Sequence, residues 1–259
     1  MSRTYVVTGS ASGIGEATRQ LLVDRGHTVI GVDLKGADIE VDLATADGRA
    51  SLAEEVADVS GGSIDAVLAI AGVASPDPTA VAVNFFGTIA TLENLRPLLA
   101  TSPAPRAVAV TSMASLYEPD DWLLTALLDE DEPRALARAR ELAAGEDRGA
   151  LIYGTTKRAL ARWIRRNAAT QPWAGESIPL NAIAPGVVRT PMTAELTATP
   201  EASAELAQMV PMPLNGFFEP RSAAYLLAWL SSEENAHLCG QVIFIDGGSD
   251  AVIRGDATW

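Results

Sequence analysis

The stretch from Thr4 to Asp33 constrains the fold more than any other part of the chain. Thr4-Tyr5-Val6-Val7-Thr8 is a β-branched and aromatic run, the pattern of a buried strand. It meets Gly9-Ser10-Ala11-Ser12-Gly13-Ile14-Gly15, after which Ile14, Ala17, Leu21 and Leu22 recur at helical spacing. Gly26 stops that helix, and Thr28-Val29-Ile30-Gly31-Val32-Asp33 reads as a second strand. Strand, glycine-rich turn, helix and strand make the βαβ context in which a glycine motif has meaning. Gly9 permits the tight turn, Gly13 lets backbone approach a pyrophosphate, and Gly15 allows close packing of the helix on the sheet. The helix N-terminus then offers free N–H groups and a positive dipole to phosphates. The plainer alternative is a loop that merely turns the chain. Asp33 ends the second strand, where a carboxylate either bonds both hydroxyls of an adenosine ribose or simply caps the strand. In the first case it repels a 2′-phosphate, which favours NAD over NADP.

The bulk properties remove whole classes of function. A chain of 259 residues, 48% hydrophobic and 20% charged, is neither disordered nor fibrous, and it is long enough for a substantial core. Its net charge of −14, without a basic block, argues against nucleic-acid and anionic-membrane partners. Cys239 is the only cysteine, so neither an intrachain disulfide nor a thiolate metal cluster can form. His27 and His237 lack a zinc-binding spacing, and no metal site is expected. The N-terminus enters a strand pattern at once, and no apolar run reaches the ~18–20 residues that span a bilayer. A cytoplasmic protein is expected.

Further along, strands and helices alternate. Ala46 to Val59 is an amphipathic helix, and Asp65-Ala66-Val67-Leu68-Ala69-Ile70 a strand ending in Ala71-Gly72. A long helix opens at Val83-Asn84-Phe85 and runs to about Ala100. Arg106 to Thr111 is a strand that delivers Ser112 to the carboxyl edge of the sheet, where open α/β sheets bind ligands. Ile178 to Ile183 and Gln241 to Ile245 are further strands, with a helix from Ala223 to Leu230 between them. There are no repeats or linkers. The reading is one α/β domain over residues 1–259, a Rossmann-type doubly wound parallel sheet with helices on both faces.

In Leu151-Ile152-Tyr153-Gly154-Thr155-Thr156-Lys157, a tyrosine and a lysine stand one helical turn apart on one face. A phenol normally titrates near ~10, and a neighbouring cation favours its ionised form, suiting it to exchange a proton with a substrate oxygen. Many surface helices carry such a pair without chemical purpose, so its meaning depends on the rest of the chain.

Thr8-Gly9-Ser10-Ala11-Ser12-Gly13-Ile14-Gly15 together with Tyr153 and Lys157 resembles the short-chain dehydrogenase/reductase family. The resemblance covers essentially the whole chain. It implies an NAD-dependent oxidoreductase acting on secondary alcohols and ketones, with Asn84, Ser112, Tyr153 and Lys157 as the catalytic set. Ser112 would polarise the substrate oxygen (Ser115 is the runner-up), and Lys157 would lower the Tyr153 pKa and hold the nicotinamide ribose. Asn84 would support a water in a proton relay; on sequence alone it is a polar helix residue bonded to nearby backbone. Cofactor contacts are implied for Gly9, Ser12, Gly13, Ile14, Gly15 and Asp33, for Asp42 and Leu43 at the adenine ring, and for Ala71 and Gly72. Tyr153, Lys157, Pro185, Gly186, Val188 and Thr190 complete that set, the last four around the nicotinamide. One departure stands out: the family's Asn-Ala-Gly is Ile70-Ala71-Gly72 here, which leaves the local hydrogen bonding open.

Between Ser112 and Tyr153 the family usually has a short loop, whereas this chain inserts Leu116 to Ala150. Trp122 to Leu128 and Pro133 to Leu142 read as two helices within it. They either pack for stability, wall the active site, or cover a helix face that relatives use to oligomerise. This insertion and Asp246-Gly247-Gly248-Ser249-Asp250-Ala251-Val252-Ile253-Arg254 resemble the branch that contains bacterial 3α-hydroxysteroid dehydrogenase/carbonyl reductase, implying a hydroxysteroid or a smaller cyclic or aromatic carbonyl substrate. Residues 191–220, with a helix from Glu201 to Met209, are expected to form the substrate lid. There Met192, Leu196, Met209, Val210 and Met212 line an apolar pocket or belong to the core. The family implies a homo-oligomer, dimer or tetramer, and the tail to Trp259 is a candidate for a subunit contact. The other readings are a catalytically idle nicotinamide-binding sensor and a non-redox dehalogenase on the same scaffold. Intact Ser112, Tyr153, Lys157 and glycine loop argue against both.

Overall fold

The computed structural model describes residues 2–145 and 148–257. Seven strands form one parallel sheet: β1 (Thr4–Thr8), β2 (Thr28–Asp33), β3 (Ile39–Glu40), β4 (Ala66–Ala69), β5 (Arg106–Val110), β6 (Leu180–Pro185) and β7 (Val242–Ile245). Their order is β3-β2-β1-β4-β5-β6-β7. The chain therefore winds outward from β1 in one direction and then from β4 in the other, and the sheet has its topological switch point between those strands.

Successive strand side chains point to opposite faces, and the two cores follow that rule. Tyr5, Val7, Leu68, Val108 and Ile183 share one cluster with Leu21 and Leu22 of α1 (Gly13–Asp24) and Leu227. Val6, Val67, Ala107, Ala109 and Ala182 belong to the other, which also takes in Leu52 and Val56 of α2 (Ala46–Ser60). Because both faces are covered, the strands read as continuous apolar runs rather than as alternating ones.

The long helix starts earlier than the sequence reading placed it. Asp77 caps α3 (Pro78–Val81) by accepting from Thr79 N, with Pro78 in the first turn. A π-helical turn, Ala82–Gly87, carries Asn84, and α4 (Thr88–Leu99) completes the element. Asp followed by Pro is itself a helix-start signal, so the earlier start was legible.

The insertion forms α5 (Asp121–Leu128) and α6 (Glu132–Ala143), as its periodicity implied. Leu123, Leu127, Ala135, Ala139 and Leu142 are buried in the same cluster as α2 and as Leu160 of α7 (Ala150–Asn167). Each fully buried leucine contributes roughly 1.5–3 kcal/mol. Asp120 pins the insertion: it caps α5 through Leu123 N, and its carboxylate takes two hydrogen bonds from Arg138, at 3.0 and 2.6 Å. Its own backbone N–H donates to Thr155 Oγ1 of α7. Packing is thus one purpose of the insertion.

Two 3₁₀ turns and α8 (Pro200–Met209) follow β6, then α9 (Pro220–Leu230) and, after β7, α10 (Ser249–Arg254). Trp259 lies outside the described residues. Among the described residues no helix is long and apolar enough to cross a membrane.

Candidate active site

A cleft of about 500 Å³ opens along the carboxyl ends of the strands, at the switch point. Every residue named above as a cofactor contact lines it, from Gly9, Asp33, Asp42 and Leu43 at one end to Pro185, Gly186, Val188 and Thr190 at the other. Ser112, Tyr153 and Lys157 lie on its wall. Asn84 does not line it, being fully buried behind Gly72 and Val73.

Local geometry explains the cradle. Gly9 sits at φ +68°, and a Cβ there would stand 2.9 Å from Ala71 Cα. A Cβ at Gly15 would run into the Gly9 carbonyl oxygen, so α1 begins directly on top of the turn. Ser12 occupies the N-cap of α1 without a side-chain capping bond, which leaves first-turn N–H groups to face the cleft. That is the arrangement that binds a phosphate. At the far edge the Asp33 carboxylate accepts from Ala11 N at 2.9 Å and from Leu34 N at 2.7 Å, so its orientation is set by backbone. A dinucleotide fits these residues: an anion cradle in the middle, an acidic strand end beside it, and small residues where backbone must come close.

The strand end at Ile70-Ala71-Gly72 is held by other side chains. Thr8 Oγ1 accepts from both Ile70 N and Ala71 N, at 3.0 and 3.1 Å. Asn84 bonds both backbone groups of Val73, accepting from its N–H at 2.8 Å and donating to its carbonyl at 2.9 Å. It also donates to Thr156 Oγ1 of α7 at 3.4 Å. Its side chain thus joins the strand end to the helix that carries Tyr153 and Lys157. These partners lie 11 and 72 positions away, not in the neighbouring helix backbone.

Tyr153 comes to Ser112 because α7 presses on the turn after β5. Gly154 makes this possible, since a Cβ there would already lie 3.1 Å from the Ala114 carbonyl. Ser112 Oγ accepts from Ala114 N at 3.1 Å and caps the short 3₁₀ turn Met113–Leu116. Ser115, the runner-up, is buried and absent from the cleft wall.

Burial pushes the Tyr153 phenol above its ordinary value, and the Ser112 hydroxyl opposes this by favouring the ionised form. Lys157 lies beside the phenol. Its Nζ stands 5.7 Å from the Tyr153 ring centroid and donates to the Val110 carbonyl at 3.0 Å. Burial pushes Lys157 down to about 8.

The apolar residues of 191–220 divide. Met192 lines the cleft, whereas Val210 and Met212 are buried with Met113, Val187 and Leu206. Leu196 and Met209 are exposed. The sequence reading missed Val73, Thr79, Val83, Thr111 and Thr193 on the cleft wall. Thr193 had a local signal, since Thr190-Pro191-Met192-Thr193 forms a capping box at a 3₁₀ turn. The others were in reach only through the packing of distant elements.

Fold, cleft and side chains together define a nicotinamide-type oxidoreductase scaffold, and the chain belongs to the short-chain dehydrogenase/reductase family. Its sequence is similar to the 3-alpha-hydroxysteroid dehydrogenase/carbonyl reductase of Comamonas testosteroni, with 35% identity over 96% of this chain and 97% of that one. The solved 3-alpha-hydroxysteroid dehydrogenase from Pseudomonas sp. B-0831, complexed with NADH, superposes with a TM-score of 0.86. It is 38% identical and covers 98% of this chain and 99% of that one. A more distant relative is the cis-4-hydroxycyclohexanecarboxylate dehydrogenase of Sinomonas cyclohexanicum, 27% identical over 96% of this chain and 97% of that one. The family model for enoyl-(acyl carrier protein) reductase matches residues 138–250.

Proposed function

We propose that the protein is a cytoplasmic, NAD-dependent dehydrogenase/reductase that interconverts a secondary alcohol and a ketone, the substrate being a hydroxysteroid or a smaller cyclic or aromatic carbonyl compound. The observation that carries this reading is the meeting of Ser112, Tyr153 and Lys157 on the wall of a cleft whose other walls are the glycine turn and the Pro185-Gly186 turn. The two 3α-hydroxysteroid relatives support the substrate class, and the hydroxycyclohexane relative supports a ring-bearing alcohol.

A bound nicotinamide dinucleotide supplies the hydride acceptor or donor. The chain supplies the rest. The first-turn N–H groups of α1 and the glycine turn hold the pyrophosphate, and Asp33 holds the adenosine ribose. Asp33 is braced by two backbone donors, and its negative charge disfavours a 2′-phosphate, which makes NAD the cofactor of choice. Ser112 donates to the substrate oxygen and polarises it. Tyr153 gives its phenolic proton to that oxygen in the reducing direction and takes it back in the oxidising one. Lys157, charged below about pH 8, holds the nicotinamide ribose and offers a positive charge next to the proton being moved. Asn84 anchors the strand end to α7 and, by family likeness, supports a water that refills the proton on Tyr153. We assign the protein to homo-oligomers, dimer or tetramer, by family likeness.

The test is turnover followed by absorbance of the reduced nicotinamide, with NAD and NADP separately. The panel holds 3α-hydroxysteroids and cyclic and aromatic alcohols, with Tyr153→Phe as control. NAD-dependent turnover that falls about 10²–10⁴-fold in the control is expected. A preference for NADP sinks the Asp33 argument. Tight NADH binding without turnover of any alcohol on the panel favours the sensor.

A further inference from the structure

We propose that Glu132, the first residue of the insertion helix α6, is a positioning residue for the adenosine end of the cleft. Its carboxylate holds Arg49 where the guanidinium fastens the Leu43–Ala44 backbone that lines that end. The inference rests on the dinucleotide reading given above and supplies a second purpose for the insertion.

Leu43 and Ala44 both line the cleft, in the turn between β3 and α2. One side of this turn is tied locally. Asp42 Oδ1 accepts from Ala44 N at 2.9 Å, and Thr45 Oγ1 donates to the Asp42 carbonyl at 2.9 Å. The carbonyls of Leu43 and Ala44 have a different partner, Arg49 Nη1, which donates to both at 3.4 Å. Arg49 Nη2 reaches both oxygens of Glu132, at 2.9 and 2.7 Å. The Arg49 side chain is only 10% exposed, and that of Glu132 28%. A guanidinium buried this far is costly without a counter-charge.

Behind the turn lies a second hollow of about 420 Å³, lined by Ala44, Arg49, Glu132, Leu136 and Arg140 among others. Ala44 therefore has the cleft on one side and this hollow on the other, with the Arg49–Glu132 pair across it. When Glu132 loses its charge, Arg49 turns toward solvent to recover hydration, the two carbonyls are released, and the turn relaxes into the hollow. The wall that meets the adenine is then no longer held in place. Glu132 lies 83 positions from Arg49 and does not itself line the cleft, so it acts through Arg49.

The experiment is equilibrium binding of NADH and of ADP-ribose to the full chain, with Glu132→Met, Glu132→Gln, Arg49→Met and the double variant Arg49→Met/Glu132→Met. The Gln variant keeps the volume of the side chain should the Met variant fail to fold. Either Glu132 variant should weaken both ligands about three- to tenfold, the scale of one ordinary hydrogen-bond anchor. In turnover the loss should fall on the cofactor KM more than on kcat. Arg49→Met should show the same loss, and Glu132→Met should add nothing in that background. Affinities of the Glu132 variants within twofold of the parent overturn the proposal. So does an equal further loss in the Arg49→Met background, which marks Glu132 as an independent structural residue. Failure of the parent protein to bind NADH at all overturns the dinucleotide reading beneath it.

Discussion

Lys157 has a cost that can be measured apart from catalysis. It is 3% exposed, and burial lowers its pKa from 10.5 to about 8. Keeping it charged in the folded protein therefore costs about 3 kcal/mol. The sign follows from proton binding. Between about pH 8 and 10.5 the folded lysine is neutral while the unfolded one is still charged, so the unfolded state binds more protons and stability rises with pH. Below about pH 8 both are charged and the full penalty applies. Lys157→Met removes the penalty, but it also removes the donor to the Val110 carbonyl, a loss of ~1 kcal/mol. The variant should be about 2 kcal/mol more stable than the parent at pH 7 and should lose this advantage by pH 10. Urea unfolding of both proteins at the two pH values reads the difference, with the comparison cancelling every other titrating group. A variant less stable than the parent at pH 7, or a difference that does not change with pH, refutes the reasoning. The same substitution should abolish turnover, which would make Lys157 a residue kept for function against stability.

Ser112→Ala should lower kcat/KM for alcohol oxidation by about 10²-fold or more. It should also move the acid limb of the pH profile to higher pH, because the hydroxyl that favours ionised Tyr153 is gone; an unmoved limb counts against the Ser112–Tyr153 coupling. Asp120→Asn should cost about 2 kcal/mol at pH 7, since it removes the charge from a partly buried carboxylate that takes two hydrogen bonds from the Arg138 guanidinium. The Arg138 bond holds the Asp120 carboxyl below its ordinary value, so that stability is present above pH 3.8 and lost as pH falls through the folded pKa. Unfolding midpoints of parent and variant should therefore converge in acid, and a constant gap would contradict the assignment.

Much of this was legible along the chain. The Gly9-to-Gly15 turn between two apolar strands, the period of α1, and the two helices of the insertion all rest on neighbours within a few residues, and local pattern reports such contacts directly. The one-turn spacing of Tyr153 and Lys157 is likewise a property of a single helix. Other features depend on which elements meet. Nothing local marks Val210 and Met212 as core and Met192 as cleft wall, because all three are apolar residues in one irregular segment. The π-turn at Asn84 serves bonds to Val73 and Thr156, the latter 72 positions away. Lys157 and Tyr153 share a face, yet the depth of burial that separates their titrations is set by β5 and the turn after it. The sequence by itself determined the scaffold, the glycine cradle and the one-turn spacing of Tyr153 and Lys157, since each is encoded in short-range periodicity and residue type. Only the tertiary structure decided the burial of Tyr153 and Lys157, the split of residues 191–220 between cleft wall and core, and the tie between Arg49 and Glu132. Those depend on burial and on contacts between residues far apart in the chain, and such contacts leave no trace in local pattern.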